Sequence, residues 1–83
     1  MRKIYESPLN GWDESATKVH VYALDNEDEY WELNGMSYKE KCDYFDVMST
    51  PKYGVIPGRA YYEYDFNLQG NHMIIYETMA LDV

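Results

Sequence analysis

The stretch 60-AYYEYDFNLQGNHMIIYETMAL-81 decides the fold. From Ala60 to Leu68 the even positions are Ala60, Tyr62, Tyr64, Phe66 and Leu68, and the odd ones are Tyr61, Glu63, Asp65 and Asn67. A period of two is a strand with one buried face, because successive side chains point to opposite sides. Gly70-Asn71 supplies a two-residue turn with Gly in the first central place, as a type II′ turn prefers. That turn sets the register: Leu68 faces Met73, Phe66 faces Ile75, Tyr64 faces Glu77, Tyr62 faces Met79 and Ala60 faces Leu81. Nine of these ten residues are apolar or aromatic, so the two strands agree on the face they bury. Glu77 is the exception, expected either to reach solvent at a sheet edge or to bond a Tyr hydroxyl. The opposite face pairs Asn67 with Ile74, Asp65 with Tyr76, Glu63 with Thr78 and Tyr61 with Ala80. Its mixture of aromatic and acidic groups reads as partly wet.

A helix precedes the hairpin. Ser37-Tyr38-Lys39-Glu40 fits a capping box, in which the Ser hydroxyl and the Glu carboxylate satisfy orphan N–H groups. The helix is expected to run to Met48 or Ser49 and to end before Pro51, which pushes Thr50 out of the α region. Tyr38, Cys42, Phe45 and Met48 or Ser49 recur at helical spacing and are expected to face the sheet. Glu40, Asp43 and Asp46 form a neighbouring exposed stripe. Farther upstream, Lys18 to Leu24 alternates Val19, Val21 and Ala23 with Lys18, His20 and Tyr22, which predicts a strand. Glu29 to Leu33 reads as a short partner strand joined to it by the acidic loop 25–28. Asn34-Gly35 turns the chain into the helix. Lys3 to Glu6 reads as a strand ending before Pro8, with a turn at Asn10-Gly11 and Trp12 folding back onto the core. The expected fold is α+β: an antiparallel sheet of four to five strands (β-β-β-α-β-β) with one helix packed on one face, in a single domain over 1–83.

The chain has 83 residues, 15 acids and 7 bases, for a net charge of −8. Its 17% aromatic content argues against disorder, since disordered acidic chains are poor in aromatics. The acidity argues against nucleic acid as a direct partner, because phosphate binding needs a basic face. Two bases at Arg2-Lys3 are followed by no apolar segment of the signal-peptide kind. The longest apolar run, Met73 to Tyr76, is far below the ~20 residues that span a bilayer. A membrane role is therefore not expected. One cysteine, Cys42, forms no internal disulfide framework, and the cytoplasm is the expected compartment.

Catalytic and metal-binding patterns are sparse. Asp25, Glu27 and Glu29 alternate like the start of a calcium loop, but Tyr30 stands where the Gly is required and Met36 where the bidentate Glu belongs. One Cys and two separated His do not make a zinc set. Cys42 falls on the inner helix face, where a cysteine behaves as a small hydrophobe, so a dyad with His20 or His72 is not expected. Gly54-Val55-Ile56-Pro57-Gly58 is a loop and not a phosphate cradle. No catalytic residue, metal or cofactor is assigned, and the chain is not expected to be an enzyme.

Charge clusters instead. Residues 25–46 hold eight acids (Asp25, Glu27, Asp28, Glu29, Glu32, Glu40, Asp43 and Asp46) against Lys39 and Lys41, whereas residues 1–24 are neutral. The plain reading is a solvated face that keeps a Tyr-rich domain soluble. The sharper reading is a surface for a basic protein, with Tyr30 and Trp31 as anchors inside the acidic run. A domain of this length spans about 30 Å. Duplex DNA of that length carries roughly 18 charges, about half on any one side. Eight acids on one face would approach that density, and Glu63 and Asp65 would extend the track.

In size, acidity, Tyr content and absence of catalytic motifs, the chain resembles the small acidic inhibitors of phages and mobile elements, including anti-CRISPR and antirestriction DNA mimics. The resemblance is one of composition over the whole chain and assigns no residue roles. It implies a non-enzymatic inhibitor that occupies the DNA- or RNA-binding surface of a basic bacterial defence effector, in the host cytoplasm if phage-encoded. The alternative is an assembly module that pairs with its own copies through the sheet, using the face of Tyr61, Glu63, Asp65, Ile74 and Tyr76 or an open strand edge.

Overall fold

The computed structural model describes residues 1–11, 15–47, 49 and 60–81. The period of two over 60–81 becomes a hairpin of strands Ala60–Gln69 and His72–Leu81. Every expected pair on both faces is present, from Leu68 opposite Met73 to Ala60 opposite Leu81. Gly70 turns the chain at φ 59° while Asn71 keeps a negative φ, the sign pattern that separates type II′ from type I′. Upstream strands form at Arg2–Glu6 and Ser15–Ala23. Numbered in chain order, β1 (Arg2–Glu6), β2 (Ser15–Ala23), β3 (Ala60–Gln69) and β4 (His72–Leu81) make one antiparallel sheet in the order β1-β2-β4-β3. The fold is thus α+β, with four strands and two helices.

Between β2 and β3 lie α1 (Glu27–Asn34) and α2 (Tyr38–Tyr44). α1 overturns the short strand expected at 29–33 and leaves one helix more than anticipated. Its cause is local. The Asn26 side chain caps the helix by accepting from the Glu29 N–H at 2.9 Å. Three acids, Glu27, Asp28 and Glu29, then sit in the first turn, where the helix dipole favours them. Tyr30 and Leu33 fall three apart on one side, a helical spacing that the aromatic content of this short segment had masked.

α2 carries the expected capping box, with Glu40 N–H on Ser37 Oγ at 3.2 Å and Ser37 N–H on Glu40 Oε1 at 3.3 Å. It ends at Tyr44, a turn earlier than Met48 or Ser49. Asp46 takes the left-handed conformation at φ 55°. Val47 N–H then bonds Cys42 C=O and Asp46 N–H bonds Asp43 C=O, the two bonds of a Schellman stop. Asp46 therefore closes the helix and does not continue its exposed stripe. The expectations for Trp12, Met48, Thr50-Pro51 and residues 54–58 lie outside the described residues.

Both helices pack on one face of the sheet. Leu33, Met73 and Ile75 form the buried centre, with Met1, Tyr22, Leu24, Met36, Phe45, Tyr64, Phe66 and Leu68 around it. Phe45 stacks on Phe66 at 5.6 Å and tilts against Tyr22 at 5.3 Å. Cys42 is buried on the inner side of α2 as expected. The Tyr38 ring meets Phe66 at 5.7 Å, and its hydroxyl bonds Ser49 Oγ and accepts from the Tyr64 N–H of β3.

Candidate functional site

With Leu33 turned inward, 3.6 residues per turn leave Glu27, Asp28, Trp31 and Glu32 on the outward arc of α1. All four are exposed, and Trp31 keeps 59% of its surface. Tyr30, half-buried beside this arc, meets Trp31 edge to face at 5.2 Å and 86°. Trp31 Nε1–H points to Glu27 Oε1 at 3.4 Å. The two aromatic rings, Glu27 and the β3–β4 turn residues Gly70 and Asn71 line a shallow open cleft of about 320 Å³. The turn was legible in the sequence. Its place beside Trp31 was not, because some forty residues separate the two.

The other acids of 25–46 divide by what they touch. Asp25 and Glu29 both bind the Met1 amino group, which raises its pKa above the usual value, chiefly through the Asp25 bond. Glu40 is held by the capping box, and Asp43 and Asp46 are exposed on and just after α2. Tyr44 has its hydroxyl pKa pushed up, first by burial and then by the negative charge of Glu29, Glu32 and Asp25.

Tyr61, Glu63, Asp65 and Tyr76 do not join this surface. Tyr64 and Phe66 pack under the helices, so the odd positions of β3 and the even positions of β4 face the opposite side. Glu63 and Asp65 consequently add nothing to the acidic track of α1. They share the helix-free face with Ile74 and Tyr76, and the β2–β4 register adds Val19 and Val21 to it. Tyr76 is 43% exposed there. The longest dimension of the molecule is 42 Å, well beyond the 30 Å expected for a sphere-like domain. Over that length a duplex would carry roughly 25 charges. The exposed acids of 25–46 lie on α1 and on and just after α2, and Glu63 and Asp65 lie on the opposite face of the sheet.

One polar cluster was not foreseen. β4 is an inner strand, so Glu77 does not reach a sheet edge. Its Oε1 meets His20 Nε2 at 2.8 Å. His20 Nδ1 lies 3.1 Å from Glu6 Oε1 and 3.3 Å from Lys3 Nζ. Glu6 also pairs with Lys3 at 2.7 Å and Lys18 at 2.9 Å. Those two ammonium groups, Lys3 first, hold the Glu6 carboxyl down at about 2. Burial, and then the Glu77 charge, push the Tyr64 hydroxyl up to about 12. A register shift between Lys3 and Tyr5 places Lys3 opposite Tyr22 and Glu6 opposite His20, bringing both to this face. The signal lay in the alternation of Lys18, His20 and Tyr22, but it acquires meaning only once β2 is known to pair with β4. The cluster ties three strands together. Among the described residues, no group of three or more His, Cys, Asp or Glu could hold a metal ion. Comparison of the chain with protein-family models, curated proteins and solved structures finds no match.

Proposed function

We propose that this chain is a non-enzymatic binding protein that inhibits a nucleic-acid-binding bacterial defence effector by occupying its basic surface. The observation that carries this reading is the outward arc of α1, where Glu27, Asp28 and Glu32 surround the exposed ring of Trp31. Carboxylates steer a basic partner toward the surface, and a desolvated aromatic anchor holds it there. Glu40, Asp43 and Asp46 of the same helical layer widen the field. The test is capture of partners from bacterial lysate, with displacement by duplex DNA and washes at rising salt. A basic nucleic-acid-binding protein retained by the native chain, released by DNA and lost with Glu27→Lys, Asp28→Lys and Glu32→Lys together supports the reading. Retention unchanged by the triple reversal overturns it.

A specific observation favours a second reading, assembly through the sheet. β3 is ten residues long and stands at the end of the strand order, and the helix-free face carries Val19, Val21, Ile74 and Tyr76. Sedimentation at rising concentration decides it: a persistent monomer removes this reading.

A further inference from the structure

We infer that the cleft between α1 and the β3–β4 turn seats a single guanidinium group, an arginine side chain presented by the basic partner. The inference rests on the proposed binding role and narrows it to one recognition element. The cleft combines what a guanidinium uses. Trp31 offers an exposed ring, and the Tyr30 ring stands at 86° to it, so two ring planes border one space. Indole is the best aromatic partner for a cation, and the planar guanidinium stacks on such rings more readily than an ammonium does. Glu27 supplies the charge. The indole N–H holds its Oε1 from one side at 3.4 Å, and the second carboxylate oxygen has no bond to Trp31. A carboxylate beside the stacked plane matches the forked donors of arginine. Asn71 and Gly70 of the turn line the far side of the cleft.

The open shape admits this occupant. About 320 Å³ is at the low end for ligand clefts, and the open mouth admits a side chain still attached to its own protein. Charge complementarity selects the sign. Glu27, Asp28 and Glu32 share the arc, and no basic residue lies between Asp25 and Tyr38. An anion would meet the negative charge of these three carboxylates.

Two probes of equal charge separate the inference from the reading on which it rests: a hexa-arginine and a hexa-lysine peptide, titrated into the native protein. The readout is the Trp31 indole N–H resonance and the peptide affinity. The inference expects the arginine peptide to bind about fivefold tighter, to shift the Trp31 indole signal, and to lose that preference with Trp31→Ala and with Glu27→Gln. Trp31→Phe, which keeps a ring, should retain part of it and guards against a folding artefact, as does unchanged amide dispersion in all variants. Equal binding of both peptides, with Trp31→Ala without effect, overturns the cleft while leaving the acidic surface in place. Binding of neither peptide overturns the cleft and the basic-partner reading together.

Discussion

Ile74 and Ile75 are neighbours in β4 and lead different lives. Ile75 sits between Phe66 and His20 in the register, under the helices, and is 2% exposed. Ile74 sits between Asn67 and Val21 on the helix-free face and is only half-buried. One backbone step reverses the side of the sheet, so the same residue type is core in one place and surface in the next. The difference shows that the stability of this domain is concentrated on the helix-covered face, while the other face mixes Val19, Val21, Ile74 and Tyr76 with Glu63 and Asp65 and has no helix over it among the described residues.

The largest effect expected from this contrast is on global stability. Ile75→Ala should cost about 3–4 kcal/mol, whereas Ile74→Ala should cost about 1 kcal/mol. Urea denaturation of both variants measures the gap. Equal losses would mean that the helix-free face is covered in solution, which favours assembly. Next come two of the positive-φ positions, Gly70 and Asp46. Gly70→Ala meets no neighbour within 4 Å, so its cost is backbone strain alone, about 1–2 kcal/mol at φ 59°. Asp46→Gly runs the other way and should stabilise by about 0.5 kcal/mol, since it removes a similar strain but loosens the unfolded chain. The order of the two midpoints in urea checks both signs.

The helices should yield by about 1 kcal/mol each when Asn26 or Ser37 becomes Ala, because each cap satisfies a first-turn N–H. Thermal melts followed by circular dichroism read this. A smaller effect is tied to pH. The folded pKa of Glu6 is about 2 against an ordinary 4.5. Its lowered value means that its contribution is present above pH 4.5 and is lost as pH falls toward 2. Glu6→Gln should therefore flatten the acid limb of the stability profile between those values and leave the limb near neutrality with the same slope. Tyr64 works at the opposite end, with a folded pKa of about 12 against 10. Its share is intact below pH 10 and is lost as pH rises through 12, and Tyr64→Phe should remove that alkaline step. The smallest effect belongs to the exposed arc. Glu32→Lys should alter stability by less than about 0.5 kcal/mol while weakening any basic partner.

Much of this was legible in local sequence. Alternation and the Gly70-Asn71 turn specify β3, β4 and every pair between them, because a two-residue turn leaves only one register. The Ser37-to-Glu40 box locates the start of α2 for a similar local reason. The segment 27–34 was harder, since Tyr30 and Trp31 favour strands by propensity and the cap at Asn26 had to outweigh them. The end of α2 depended on Asp46 adopting a conformation that non-glycine residues rarely take. For the candidate site, the sequence shows acids and aromatics in one run, but gives no hint that Asp25 and Glu29 turn to the Met1 amino group.

By itself, then, the sequence determined the hairpin, the capped helix, the acidic patch and the aromatic pair within it, all of which rest on neighbours a few residues apart. Only the tertiary structure decided that β4 lies inside the sheet, that Glu63 and Asp65 face away from α1, that Glu77 meets His20, and that the hairpin turn stands beside Trp31. Those outcomes depend on β2 pairing with a strand some fifty residues away. Local periodicity specifies which way a side chain points from its own strand, but not which strand will lie next to it.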